Sequence, residues 1–187
     1  MQVLLEVHGF EVFCTPIFNA DPHPGNIKVM SDGRLGLIDY GQCKRIEPSE
    51  RLAIAHFVLA IAEARPRKEI ADALRGCGMT TEHDSDEFLA DFGGLLFGKL
   101  EQKHMQREWH TRLHKADSIV LFPPSLIMLY RMATILRGLA LTLRYNVSVA
   151  EHWAASAAAA VAAGGTVSPE VKPRCGAAGD TDHYSLR

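Results

Sequence analysis

The chain has 187 residues, of which 47% are apolar and 22% charged, and these values are ordinary for a globular protein with a sizeable core. Its formal net charge of -2 excludes a strongly basic surface, so a nucleic acid is not expected as a partner. After Gly164 the sequence becomes rich in glycine, proline and polar residues without any periodicity. We therefore expect one domain over residues 1–163 and a disordered tail over residues 164–187.

The apolar pattern predicts a mainly α, α+β chain with one short β-hairpin. A first helix is expected over residues 1–13, where Val3, Leu4, Val7 and Phe10 share one face. A proline-rich loop follows, and apolar residues then alternate with polar ones on both sides of a turn at residues 31–34, which is typical of a hairpin. About five helices are expected after the hairpin: over residues 48–64 and 67–76, from a cap at residue 84 or 85, over about 124–145, and from 149 onward.

The longest apolar stretch, residues 121–143, is long enough to span a membrane. It carries Arg131 and Arg137 in its interior, and these two charges favour a helix buried in a protein core. Both arginines then need partners, which are either acids within the fold or groups on a lipid or protein surface.

The loop before the hairpin reads "NADPHPGN" over residues 19–26. A residue that precedes proline is driven out of the helical region, so Asp21 and His23 are both biased towards extended backbone. Pro22 and Pro24 fix their own φ, and Gly25 restores freedom just before Asn26. A loop that is stiffened in this way positions a carboxylate with little loss of entropy, which favours a catalytic role for Asp21.

The spacing of Asp21, Asn26 and Asp39 is typical of phosphoryl transfer. In that chemistry one aspartate accepts the proton of the attacking hydroxyl, an asparagine a few residues later reaches Mg²⁺, and the aspartate of an Asp-aromatic-Gly triplet holds Mg²⁺ against the phosphates. Asp39 opens such a triplet in "LIDYG", and the hairpin returns it to the neighbourhood of Asn26. The proline-rich loop alone, or the Asp-aromatic-Gly triplet alone, is more often a simple turn. The interpretation depends on their occurring together.

"ADPHPGN" followed by "LIDYG" closely resembles the UbiB/ADCK (aarF-type) atypical kinase family, strongly over about residues 3–46 and more weakly in the last helices. The resemblance implies a protein-kinase-like C-terminal lobe that uses ATP and Mg²⁺. It further implies a mitochondrial or plastid protein linked to coenzyme Q or other isoprenoid-lipid metabolism. By motif position, Asp21 is the catalytic aspartate, Asn26 and Asp39 are metal ligands at the nucleotide, and His23 stands where typical protein kinases carry a phosphate-contacting lysine.

Three departures from the family accompany this resemblance. Asn19 stands where the family usually has histidine, and Tyr40 replaces the usual phenylalanine of the triplet. No residue of the chain resembles an N-lobe, with its phosphate-covering loop and strand lysine, so we expect an incomplete kinase that has little activity by itself. A truncated gene or a degenerate paralogue would explain this.

Two alternatives stay open at this point. One is a catalytically dead remnant that acts as a binding or scaffold protein. The other is a small-molecule kinase of the aminoglycoside or choline type. Such kinases use the same set of Asp, Asn and Asp residues, but they have no need of both prolines of the loop. The phosphoryl acceptor is unknown from the sequence, and the resemblance leaves membrane or lipid association open.

Overall fold

The structure is a computed structural model, and it describes residues 1–167. Seven α-helices are found there: α1 Gln2–Cys14, α2 Pro48–Ala62, α3 Arg67–Gly76, α4 Asp86–Phe97, α5 Arg107–Ala116, α6 Pro124–Thr142 and α7 Val149–Ala162. Six short strands are distributed among them: β1 Ile17–Asn19, β2 Ile27–Val29, β3 Leu35–Leu37, β4 Cys43–Arg45, β5 Thr80–Thr81 and β6 Ile119–Leu121. They form three antiparallel pairs, β1–β4, β2–β3 and β5–β6.

The predicted mainly helical fold with a hairpin after the loop is confirmed. β2 and β3 are the two strands of that hairpin, with Ile27 opposite Leu37 and Val29 opposite Leu35. Six helices follow it within residues 1–167, where about five were predicted, because α5 is a separate helix. The pairs β1–β4 and β5–β6 were not predicted.

The core lies where α1, α2 and α7 pack together around Trp153. The Trp153 side chain is fully buried, and its indole N–H donates to the Leu5 carbonyl at 3.0 Å. Its ring lies so close to α1 that a Cβ atom at Gly9 would sit 2.6 Å from the ring, so this position requires glycine. The edge of the Phe13 ring packs against the same indole, with ring centroids 6.1 Å apart. α1, which precedes the proline-rich loop, is thus fixed to the last helix of the fold.

Arg51 of α2 is buried, and it ties the ends of several elements together. Its guanidinium donates to four carbonyl oxygens at 2.8–3.1 Å, those of Val12, Thr15, Ile46 and Gly165. The first of these lies in the last turn of α1, whose final carbonyls lack partners within the helix. The described chain is therefore still part of the fold at Gly165, and residues 168–187 of the predicted tail lie outside the described residues.

Asp117 plays a similar part at the junction of β5, α4 and β6. The side chain is buried, and its two carboxylate oxygens accept hydrogen bonds from the Thr81 hydroxyl and from the backbone N–H groups of His83, Ser85 and Ser118, at 2.7–3.0 Å. Burial raises the pKa of Asp117, but these hydrogen bonds outweigh that effect and lower the pKa to about 2. The carboxylate is therefore charged at neutral pH, and it fixes the segment that precedes α4.

Within residues 1–167, α6 is the one helix whose length and apolar composition would allow it to cross a membrane. Core helices of soluble proteins pass the same test. Here Leu126, Leu129, Met132 and Leu136 are fully buried against the rest of the fold. The nearby Arg137 donates to the Leu95 carbonyl at 2.8 Å. These contacts agree with the interpretation of α6 as a core helix.

Candidate active site

Two nested strand pairs enclose the predicted site. The outer pair, β1–β4, sets Asn19 opposite Cys43 and is extended by a hydrogen bond from the Ala20 N–H to the Gln42 carbonyl at 3.0 Å. The inner pair, β2–β3, is extended by a hydrogen bond from the Ile38 N–H to the Asn26 carbonyl, also at 3.0 Å. Residues 20–26 and 38–42 therefore run beside each other between the two pairs. We call them the loop segment and the triplet segment.

Hydrogen bonds within the loop segment hold its shape, in addition to its prolines. The N–H of His23 donates to the Asp21 carbonyl, and that of Asn26 donates to the His23 carbonyl, both at 2.8 Å. The Nδ1 atom of His23 accepts the Gly25 N–H at 3.1 Å, and residues Pro24–Asn26 form a short 3-10 turn. The preorganisation expected from the prolines is consistent with this network.

Asn19 joins the two segments. Its side-chain NH₂ group donates to the Asp39 carbonyl at 2.8 Å, and its side-chain oxygen accepts the Asp21 N–H at 2.9 Å. The residue is 2% exposed, so water cannot replace these bonds. The asparagine that departs from the family's usual histidine thus fixes the backbone of Asp21 relative to that of Asp39.

Asp39 and Asn26 lie at the mouth of the inner hairpin. The Asp39 carboxylate is exposed, and one of its oxygens accepts the Gly41 N–H at 2.8 Å. The Asn26 backbone lies directly opposite Ile38, the residue before Asp39, and its side chain is half-buried. Asp39 therefore lies one position past the residue opposite Asn26, beyond the end of β3.

The donor chemistry of this pair fits Mg²⁺. Carboxylate and amide oxygens are hard ligands, and Mg²⁺ in nucleotide sites is commonly held by one or two carboxylates while phosphates and waters supply the rest. Residues 1–167 contain no cluster of three or more His, Cys, Asp or Glu side chains that could hold a metal by itself. A site that depends on a bound nucleotide has no need of such a cluster. The assignment of Asn26 and Asp39 as metal ligands stays a prediction.

Glu11 of α1 forms hydrogen bonds to both sides of the site. One of its carboxylate oxygens accepts the Asn19 N–H at 3.3 Å, and the other accepts the Tyr40 hydroxyl at 3.3 Å. Burial raises the pKa of Glu11, although both hydrogen bonds act in the opposite direction. Burial and the neighbouring Glu11 carboxylate raise the pKa of Tyr40 to about 12. The hydroxyl that distinguishes Tyr40 from phenylalanine therefore anchors the triplet segment to α1.

Arg131 of α6 contacts the site although it lies 110 positions after Asp21 in the sequence. One terminal nitrogen of its guanidinium lies 3.2 Å from the Asp21 carboxylate, and the other donates to the Gln42 side-chain oxygen at 3.0 Å. The Arg131 side chain is 44% exposed and that of Asp21 is 22% exposed, so this ion pair is open to solvent.

The structure thus brings the predicted residues Asp21, Asn26 and Asp39 into two adjacent segments. His23 lies in the same loop, but its side chain is exposed and caps the 3-10 turn. Sequence reasoning missed Glu11 and did not assign the roles of Asn19 and Arg131. For Arg131 a signal existed, since a charge inside an apolar helix requires a partner; for Glu11 there was none.

Residues 1–73 match the ABC1 atypical kinase-like domain, which confirms the resemblance to the aarF-type family. An uncharacterized protein of Synechocystis sp. is 39% identical over 100 residues, which cover 54% of this chain and 22% of that protein. An uncharacterized aarF domain-containing protein kinase of Arabidopsis thaliana, described as chloroplastic, is 36% identical over 85 residues, or 46% of this chain and 16% of that protein.

The aligned part is therefore about a fifth of each of these relatives or less. No solved structure matches the chain. The kinase-like arrangement of the C-lobe accordingly stays a prediction, whereas the mainly helical fold with small sheets is observed.

Proposed function

We propose that this chain, whose residues 1–73 belong to the ABC1 atypical kinase-like family, supplies the catalytic loop and the metal-binding segment of an ATP- and Mg²⁺-dependent kinase or ATPase. The observation that carries the proposal is the Asn19 bridge between the Asp21 N–H and the Asp39 carbonyl. The bridge fixes the backbones of two aspartates whose carboxylates have the chemistry for base catalysis and metal binding.

In the proposed reaction, an acceptor hydroxyl or water attacks the terminal phosphorus of ATP. The new O–P bond forms as the bond between that phosphorus and the bridging oxygen breaks, so that ADP leaves with the electron pair. Asp21 orients the attacking oxygen and takes its proton. Its side chain is 22% exposed and can be reached by an acceptor.

Asp39 and Asn26 would hold Mg²⁺ at the nucleotide phosphates. The ion would neutralise the charge of those phosphates. Asn19 and Glu11 hold the two segments in register, so the carboxylates need little rearrangement when the nucleotide arrives. The proposal includes an N-lobe that covers the phosphates, as the family resemblance implies, and the 187-residue chain alone is expected to bind Mg-ATP but to turn it over negligibly.

The finer parts of the proposal rest on the resemblance. The first is that the protein either phosphorylates an acceptor or hydrolyses ATP within coenzyme Q or other isoprenoid-lipid metabolism. The second is that it associates with a membrane or lipid. Between mitochondrion and plastid, we propose the plastid, because the Arabidopsis relative is described as chloroplastic.

The proposal is tested by Mg-ATP binding to the purified chain and by single-turnover phosphoryl transfer after fusion to the N-lobe of an aarF-domain relative. Asp39→Ala should weaken Mg-nucleotide binding, because it removes a charged oxygen ligand. Asp21→Asn should leave affinity within a few-fold but slow the chemical step by about 10²–10⁴, the usual contribution of a positioned general base.

Asp32→Ala is the matched control, since this exposed aspartate lies at the tip of the same hairpin and pairs with Arg34. It should change neither quantity. If the wild type binds no Mg-nucleotide, the catalytic proposal is wrong and the scaffold alternative gains support. If Asp21→Asn loses nucleotide binding as strongly as Asp39→Ala does, Asp21 is a metal or structural residue.

A further inference from the structure

A phosphoryl group in transfer carries several negative charges, and phosphoryl-transfer sites place arginine, lysine or metal cations against them. In this chain the loop position of the usual lysine is held by His23. That ring is engaged through Nδ1 with the Gly25 N–H at 3.1 Å, and its side chain lies at the surface as the cap of the 3-10 turn. The loop segment therefore contains no lysine or arginine that could contact the transferring group.

Arg131 has the required position. Its guanidinium lies 3.2 Å from the Asp21 carboxylate and donates to Gln42 at 3.0 Å, so it contacts both the loop segment and the triplet segment. The Gln42 carbonyl in turn accepts the Ala20 N–H, which closes a ring of contacts around the base. A guanidinium has five N–H donors, more than these two contacts use, and its fork matches two phosphate oxygens.

Reaction geometry brings the phosphoryl group within reach of this guanidinium. A base lies about 2.6–3.2 Å from the hydroxyl that it deprotonates. That oxygen lies about 3–3.5 Å from the phosphorus in a near-attack arrangement. A cation that touches the base carboxylate is thus about one further contact away from the oxygens on the phosphorus. The Arg131 side chain is 44% exposed, so it can turn towards them while α6 stays packed on the core.

We propose that Arg131 is a catalytic residue of this site that contacts the terminal phosphate of the bound nucleotide and the phosphoryl group in transfer. The inference rests on the proposed function. Arg131 remains protonated throughout, while the proton of the attacking hydroxyl goes to Asp21 and the leaving electron pair goes to ADP. The remote helix α6 thereby completes a site whose other members all lie within residues 19–42.

The test compares the affinities of the 187-residue chain for Mg-ATP and Mg-ADP, and for Mg-ADP with aluminium fluoride as a mimic of the transferring group. Arg131→Gln should weaken the binding of ATP or of the mimic by about tenfold or more, while the affinity for ADP stays within a few-fold. The reason is that ATP and the mimic offer a terminal phosphoryl group to Arg131, whereas ADP does not. Arg131→Lys should retain part of the preference, since it keeps the charge but loses the fork. Arg112→Gln, at an exposed arginine of α5, is the control and should leave all three affinities unchanged.

The outcomes separate the two proposals. If the wild type binds nucleotide in an Asp39-dependent way and Arg131→Gln keeps the wild-type ratio of ATP, mimic and ADP affinities, the role of Arg131 is refuted while the proposed function stands. If the wild type binds no nucleotide, both fail. Circular dichroism and urea unfolding of each variant establish that a loss of binding is not a loss of folding.

Discussion

Replacing Asn19 with alanine should destabilise the fold far more than most single polar substitutions. The change deletes the acceptor of the Asp21 N–H and the donor to the Asp39 carbonyl, whose bonds measure 2.9 and 2.8 Å. Asn19 is 2% exposed, and both backbone groups lose this buried side chain as their hydrogen-bond partner. Each group that stays unsatisfied costs about 1–3 kcal/mol, so we expect a loss of about 2–6 kcal/mol in the free energy of unfolding. That is a large part of the about 5–15 kcal/mol by which a typical domain is stable.

Urea unfolding followed by the fluorescence of the buried Trp109 and Trp153 measures this loss as a lower midpoint at an unchanged slope. Asn146→Ala is the matched control, because the exposed Asn146 makes a single side-chain bond to the Leu100 carbonyl at 2.9 Å. It should cost about 0.5–1 kcal/mol. If the two substitutions cost the same, Asn19 does not hold the segments together. Asn19→Asp separates the bonds, since it keeps an acceptor for Asp21 but sets a carboxylate against the Asp39 carbonyl.

Two further predictions concern the buried polar anchors. Asp117→Asn should lower the free energy of unfolding by about 1–3 kcal/mol at pH 7, because its NH₂ group would face N–H and O–H groups whose hydrogen bonds the carboxylate accepts in the wild type. In the wild type, the contribution of Asp117 to stability is complete above the unfolded pKa of about 3.9 and is lost as the pH falls through the folded pKa of about 2. The acid unfolding profiles of wild type and variant should therefore converge below pH 4. Parallel profiles would contradict the assignment. Arg51→Met should cost about 3 kcal/mol or more by thermal or urea unfolding, since four carbonyl oxygens lose their donor, whereas Arg112→Met on the exposed face of α5 should be close to neutral.

Much of the fold was readable because its signals are local. The prolines at residues 48 and 124 mark the starts of α2 and α6, and Ser85 caps α4 by accepting the Phe88 N–H at 3.3 Å. The tight turn and the alternation around it predicted that β2 and β3 form a hairpin, which the structure confirms. The adjacency of the loop and triplet segments followed from the same hairpin.

What could not be predicted depends on contacts between distant residues. β1 and β4 are as short as β2 and β3, but no tight turn joins them, since their pairing spans the whole loop region. The bonds of Glu11 to Asn19 and Tyr40 depend on where α1 packs, which the helix sequence alone does not specify. Arg131 could be recognised as needing a partner, but Asp21 could be identified as that partner only from the path of α6 over the site.

The nesting of the inner hairpin within the outer strand pair orders the assembly of this region during folding. Joining Val29 to Leu35 closes only residues 30–34, whereas joining Asn19 to Cys43 directly must close everything between them. The entropy of closing a loop grows with the logarithm of its length, so the inner hairpin shortens the loop that the outer pair must still close. Gly33, at the hairpin tip, has φ +82°, a conformation that glycine adopts without strain. We therefore expect the tip to influence how quickly the segments of the two aspartates come together, although it touches neither of them.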